Sequence, residues 1–270
     1  MSSYVVTGAA RGLGYSFLCH LSKDPSNTVV GLVRDKAATD AKVKRNGLPK
    51  NVHIIEADIT SLAAQKAAAK QVASLTGGKL DYLINNAASV PETTGALTVQ
   101  AFDTDPDVFL KDLQDTFNVN VIGVMNTISA FMPLILKSDI KKVITISSGM
   151  ADIDLINDFG IANAVPYSIS KGATNVMVAK YNVAYQEQGV LFLAVSPGYV
   201  DTANTRQPAP DPDAPIPPMI LKFAKYAPHF KGPITPEESV GLVMKVIESK
   251  SVEKGDGGRF VSHFGNRQWL

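Results

Sequence analysis

"VVTGAARGLG", residues 5–14, is the stretch on which the fold turns. A valine-rich run stops at Thr7, three glycines follow at Gly8, Gly12 and Gly14, and an apolar helical pattern then continues to residue 23. Glycine permits positive φ and lets a ligand approach the backbone closely. A helix that begins beside such a loop offers free N–H groups and a partial positive charge to a phosphate. The spacing is G-x-x-x-G-x-G rather than the commoner G-x-G-x-x-G. Three glycines can also simply make a tight turn. The strand–loop–helix context favours a dinucleotide site, with Leu13 between the last two glycines.

The rest of the chain repeats the alternation. Residues 4–7, 28–33, 52–57, 80–84, 142–147, 191–195 and 258–262 are short runs rich in Val, Ile and Leu. They do not alternate polar with apolar residues, which predicts strands buried on both faces. Helical patterns over 12–23, 61–75, 107–136, 167–188 and 236–249 lie between them, the third broken or kinked near Pro133. Thr60 or Ser61 suits an N-cap, and "TPEES" places Pro at the first helical position with acids behind it. Strand and helix in alternation predict an α/β, doubly wound parallel sheet of seven strands flanked by helices. "QPAPDPDAPIPP", residues 207–218, is too proline-rich for a helix or central strand. Because a helix and a strand follow it, residues 201–233 read as an insertion on a single domain spanning 1–270, with "MILKFAKYAPHF" as a short helix within it.

Composition narrows the function. The 270 residues carry a formal net charge of +1, with 45% hydrophobic and 19% charged residues. That is an ordinary globular composition, without the field that recruits nucleic acid or an anionic membrane. The single cysteine, Cys19, cannot make an internal disulfide, which fits a reducing compartment. "MSSYVVTG" shows no secretory leader, and no apolar run reaches the length of a membrane span. A cytoplasmic protein acting on a small molecule is the expectation, with no nucleic-acid or membrane partner. His20, His53, His229 and His263 lack metal-ligand spacing.

"AVPYSISKGA" sets Tyr167 one helical turn before Lys171. A phenol has an ordinary pKa of about 10, and a neighbouring cation lowers it. The pair is either a tuned proton donor or a coincidence of two common residues.

Read together, "TGAARGLG" and "YSISK" resemble the short-chain dehydrogenase/reductase family. "ADI" resembles the family's adenine-contacting segment, at Asp58 and Ile59. "NNAA" resembles its N-N-A-G turn, containing Asn86, with Ala88 in place of the usual glycine. "NVNVIG" supplies the central-helix asparagine, Asn120, and "ITISS" ends a strand at the serine pair. "SPGYVDT" resembles the loop that covers the nicotinamide, with Val200 and Thr202. The arginine after the second strand and the terminal "FGNRQWL" look most like the carbonyl-reductase and sniffer-like branch.

The resemblance implies a Rossmann fold and a catalytic tetrad of Asn120, Ser148, Tyr167 and Lys171. Tyr167 would be the general acid toward a carbonyl oxygen, and Ser148 would hydrogen-bond and orient that oxygen. Lys171 would lower the phenol's pKa and hold the nicotinamide ribose, and Asn120 would fix a water near Lys171. Arginine near the end of the second strand accommodates a 2′-phosphate where an acid would hold a 2′-hydroxyl. Arg34, together with Arg11 in the glycine loop, therefore points to NADP(H), although both could be solvated and Asp35 could pair with Arg34. The gap between Ser148 and Tyr167 is wider than the family's usual one, and Ser147 competes for the serine's role. The expected activity is NADPH-dependent reduction of a hydrophobic or aromatic ketone or aldehyde, with pocket walls from residues 149–165 and 201–233. Met219, Ile220, Leu221, Phe223, Tyr226 and Phe230 would form an apolar lid, unless they merely pack. Asp152, Asp154 and Asp158 either favour a basic substrate or lie on a solvated loop. Alternatives are a catalytically silent NADP-binding sensor or scaffold, or an isomerase or cyclase on the same fold. The family's habit implies a homodimer or homotetramer through the helices 107–136 and 167–188.

Overall fold

The structure is a computed structural model that describes residues 1–202 and 218–270, with side chains from residue 220 onward in the second stretch. Seven strands form one sheet in the order β3-β2-β1-β4-β5-β6-β7, every pair parallel. They are β1 Ser3–Thr7, β2 Thr28–Val33, β3 Val52–Glu56, β4 Tyr82–Asn85, β5 Lys142–Ile146, β6 Leu191–Ser196 and β7 Phe260–Ser262. The period-2 geometry of a strand sends neighbouring side chains to opposite faces, and each face meets its own core. Val5, Val30, Leu83, Val143 and Phe192 enter one core. Tyr4, Val6, Val29, Ile84, Ile144 and Leu193 enter the other. Full burial of each such side chain contributes about 1.5–3 kcal/mol relative to exposure, so the uninterrupted apolar runs are what a sheet covered on both sides requires.

The first core is covered by α3 Leu62–Thr76, α5 Val124–Ile135 and α7 Val165–Tyr185, through Val72, Phe131 and Met177. The second is covered by α1 Gly12–Leu21 and α9 Pro236–Ser249, through Phe17, Leu18, Val243 and Ile247. Ser61 caps α3 at Ala64 N, and Thr235 caps α9 at Glu238 N. The strand order reverses direction between β1 and β4, whose carboxyl ends carry the glycine loop and the Asn85–Asn86 turn. A doubly wound sheet binds its ligands in the crevice at that switch point.

Several expectations need correction. Helix α2, Lys36–Arg45, was invisible to an apolar-period reading because Thr39 is its one buried residue. The expected helix 107–136 does not break at Pro133. It is α4 Pro106–Phe117, a π-helical turn Asn118–Gly123, and α5, with Pro133 inside the last turn of α5. By length and composition, 106–135 is a helical stretch long and apolar enough to cross a membrane, although no single apolar run is, and 61% of its most apolar window is buried inside the fold. Residues 149–165 are not an open loop: a 3₁₀ turn, Gly149–Ala151, leads into α6 Ile153–Phe159. Of the expected insertion, 203–217 lies outside the described residues, and α8 Pro218–Tyr226 follows it.

Candidate functional site

A cleft of about 820 Å³ runs along the carboxyl ends of the strands. Gly8, Arg11, Gly12, Leu13, Arg34, Asp58, Ile59 and Asn86 line one end, and Tyr167, Lys171, Pro197 and Thr202 line the other. Gly14, Asn120, Ser148 and Val200, also expected at the site, are not among the residues that line it.

At the first end the glycines act through close approach. Gly8 has φ +66°, and a Cβ there would sit 2.8 Å from Ala87 Cα. A Cβ on Gly14 would sit 2.2 Å from the Gly8 carbonyl oxygen and 2.6 Å from Asn86 Nδ2. The β1 and β4 loops therefore close on one another only without side chains. Asn86 Nδ2 donates to the Thr7 carbonyl at 3.0 Å, tying the loops together. The N-cap of α1, Arg11, makes no side-chain capping bond, which leaves first-turn N–H groups to an anion. Asp35 does not pair with Arg34. Its carboxylate caps α2 by accepting from Ala38 N at 2.9 Å, and neither Arg11 nor Arg34 makes an ion pair among the described residues. Asp58 accepts from the Thr60 amide and hydroxyl, both at 2.8 Å, so its turn is preset. Bare amides, two free guanidiniums and an acid further along fit the phosphates, ribose phosphate and adenine of a dinucleotide.

At the second end α7 delivers two groups. It starts from Ala164, held at φ +55°, and carries Tyr167 and Lys171 one turn apart. Lys171 is buried, and its Nζ donates to the Ile146 carbonyl at 2.7 Å, where β5 ends. Burial pulls its pKa down to about 8. Burial pushes the Tyr167 phenol up, and a hydrogen bond with the Ser148 hydroxyl acts in the opposite direction. The Lys171 ammonium sits 5.8 Å from the phenol's ring centroid, and the net shift of the phenol is upward because burial dominates. A phenol held protonated beside a hydroxyl suits an acid better than a base.

The two serines have different surroundings, and of the two Ser147 lines the cleft. Ser147 still belongs to the sheet, since its N–H donates to the Val195 carbonyl, and its buried hydroxyl donates to Asn175 Oδ1 at 2.6 Å. Ser148 carries the hydroxyl beside the phenol. Asn120 sits on the π-helical turn and is buried. Its Nδ2 reaches Ser89 O at 3.0 Å and Ser170 Oγ at 2.9 Å, its Oδ1 accepts from Ser89 N at 2.7 Å, and its carbonyl accepts from Thr174 Oγ1 at 3.1 Å. It is a tether between the loop after β4 and α7, not a group facing the cleft. Val200 pairs across a parallel bridge with Ile234, behind the loop that brings Thr202 to the cleft.

The lid residues with described side chains turn inward. Phe223 is buried in a third core with Leu155, Ile161 and Trp269, and Ile220, Tyr226 and Phe230 pack against it. Leu221 alone of them is exposed. Their apolar character is thus explained by packing. Asp152 is buried and caps α6 at Leu155 N, and Arg267 bridges it to Asp154. Neither acid is a free cation site. Asn175, Ser170, Arg267 and Trp269 were missed as site residues because their partners are remote in sequence.

Comparison with known proteins follows the same lines. The family model described as short chain dehydrogenase matches residues 3–213. The chain is 46% identical over 271 residues to the short chain dehydrogenase virK of Hypocrea virens. It is 47% identical over 271 residues to the short-chain dehydrogenase/reductase AacuF of Aspergillus aculeatus, and each match covers 100% of both chains. Among solved structures, the NADPH-bound carbonyl reductase from chicken fatty liver matches with a TM-score of 0.77 and 28% identity, over 98% of each chain. The carbonyl reductase Sniffer of D. melanogaster shares the fold, with a TM-score of 0.77 at 21% identity over 98% of each chain.

Proposed function

The chain belongs to the short-chain dehydrogenase/reductase family, and from that premise we propose that it is an NADPH-dependent reductase of a ketone or aldehyde. The observation that carries this reading is the meeting of Tyr167 and Lys171 at one end of a cleft whose other end holds the glycine loop, Arg11 and Arg34. Similarity to an NADPH-bound carbonyl reductase supports both the cofactor and the substrate class.

NADPH, when bound, supplies the hydride that reduces the carbonyl carbon. The remaining work falls to the chain. Ser148 donates a hydrogen bond to the carbonyl oxygen and holds it in register with Tyr167. As negative charge grows on that oxygen, Tyr167 transfers its phenolic proton there and the alcohol is complete. Lys171, fixed on the Ile146 carbonyl, presents its remaining N–H donors to the ribose and to the phenolate left behind. Asn120 keeps the loop after β4 at its proper distance from α7. The decisive experiment is consumption of NADPH against a carbonyl panel, with the alcohol identified as product.

Two substitutions separate the serines. Ser148→Ala is expected to lower kcat about 10²–10³-fold, the usual effect of losing an oxyanion donor, with NADPH affinity retained. Ser147→Ala is expected to leave chemistry nearly intact and to cost about 1–3 kcal/mol of stability, because Asn175 Oδ1 loses its donor. Steady-state kinetics and thermal melts read the two; the reverse pattern would reassign the hydroxyl to Ser147.

The arginines set cofactor choice. A charge-assisted hydrogen bond contributes about 1.5–3 kcal/mol, so replacing Arg11 and Arg34 with Ala should weaken NADPH at least about tenfold and NADH hardly at all. Fluorescence titration of the wild type and the double variant decides it. Equal wild-type affinity for the two cofactors overturns the assignment of a 2′-phosphate site.

A further inference from the structure

The last residues of the chain occupy an unusual place. Trp269, next to the C-terminus and the single tryptophan of the sequence, is only 3% exposed. Its indole stacks on Phe260 of β7, with ring centroids 4.3 Å apart. The Trp269 backbone N–H donates to the Tyr226 hydroxyl of α8 at 3.0 Å, and that hydroxyl donates to the Arg267 carbonyl at 3.1 Å. Arg267 in turn holds Asp152 at the head of α6 at 2.6 Å. The tail therefore joins β7, α8 and α6.

Its most consequential contact is with Gly149. A Cβ built there would lie 2.7 Å from Trp269 Cβ and 2.9 Å from its Cγ, so the base of the indole lies directly against this backbone. Gly149 opens the 3₁₀ turn that Ser148 caps, Ser148 Oγ accepting from Met150 N at 3.2 Å. Behind it, Gly149 N donates to Ser196 Oγ at 3.0 Å. The turn that aims Ser148 is thus clamped between the end of β6 and the tail. A glycine cannot lock that turn with a side chain of its own.

We propose that Trp269 is a positioning residue: by packing on Gly149 it fixes the turn that presents the Ser148 hydroxyl to the carbonyl oxygen. The proposal rests on the reading of Ser148 given above. It makes the C-terminal tail part of the reaction's geometry although the tail does not line the cofactor cleft. Misplacement of a reacting group by an ångström costs as much as about 10²-fold in rate, so a loosened turn should be felt in kcat rather than in NADPH binding.

The test uses the full chain with Trp269→Ala, Trp269→Phe and Gly149→Ala, NADPH, and 4-nitrobenzaldehyde as probe substrate. Trp269→Ala and Gly149→Ala should lower kcat about 10–10²-fold with KM little changed, and Trp269→Phe should recover most of the loss. On a Ser148→Ala background Trp269→Ala should cost almost nothing more, since residues acting as one unit are not additive. Two readouts need no substrate. Deuterium uptake at residues 148–151 should rise in Trp269→Ala with residues 3–14 unchanged, and Gly149→Ala should red-shift the lone tryptophan's emission as the tail is pushed off. If Trp269→Ala fails to fold, Gly149→Ala carries the same comparisons with the tail's other bonds in place. Full multiplication of the two losses, a rise in KM alone, or unchanged uptake and emission each overturn the proposal. If the wild type reduces no carbonyl, the functional reading fails by itself, and uptake and emission still decide whether Trp269 holds the turn.

Discussion

Tyr167→Phe is expected to lower kcat about 10²–10⁴-fold, the range for loss of a positioned general acid, and to leave NADPH affinity and Tm close to wild type. The substitution removes one oxygen and keeps the ring. The phenol's hydrogen bond is to Ser148, itself half-buried, so little buried hydrogen bonding is lost. The helix does not depend on it either: α7 is held by Met177 and Val178 in the first core and by the Asn120–Ser170 tether. Because burial already keeps the phenol protonated, the loss should be nearly the same at pH 6 and pH 7.5. Single-turnover rates with an aryl aldehyde measure it. Near-wild-type kcat would mean that Tyr167 is not the acid and that its pairing with Lys171 serves structure.

What the sequence disclosed follows from where each signal is stored. The strands were legible because a sheet buried on both faces demands uninterrupted Val, Ile and Leu, and residues such as Val5 and Val6 feed opposite cores. The glycine loop was legible because only glycine tolerates the approach of Gly14 to the Gly8 carbonyl. Helix α2 was not, since a polar edge helix with one buried residue has no apolar period to read. The break in the long helix was misplaced because proline advertises itself while a π-helical turn at Asn118–Gly123 has no comparable residue signature.

At the site the division is similar. Tyr167 and Lys171 lie one turn apart, and local spacing reveals them. Between Ser147 and Ser148 the sequence favours the second, because the first should still belong to the strand, while their partners, Asn175 on α7 and the Tyr167 phenol, are remote in sequence and show only in the fold. The segment expected as a lid was open to two readings. An amphipathic segment beside a cleft reads equally as a pocket wall or as a packing face, and the partner that decides is Trp269, beyond the last strand.

The second large effect is expected at Lys171, where activity should fall without a matching loss of stability at neutral pH. Lys171→Met keeps the length and apolar stem and removes the charge. Reductive turnover should fall at least about 10²-fold, because both the support of the phenolate and the ribose contact are lost, and NADPH should bind more weakly. Stability follows from the pKa. Burial lowers this amine from 10.5 to about 8, so between those values the unfolded chain binds more protons than the folded one, and stability rises with pH. Below about pH 8 the burial of the charge is a full cost, of order 3 kcal/mol by the size of the shift. Methionine removes that cost and leaves the Ile146 carbonyl without its donor, a loss of about 1–3 kcal/mol. At pH 7 the variant should therefore melt no lower than the wild type, and the wild type's gain in stability between about pH 8 and 10.5 should shrink in the variant. Wild-type turnover should already decline around pH 8, where Lys171 of the folded chain loses its proton. Denaturant titrations at pH 7, 8, 9 and 10 measure the difference in slope. A variant that is less stable than the wild type at pH 7 and keeps the same slope would show that Lys171 is not the buried ammonium on which this reasoning depends.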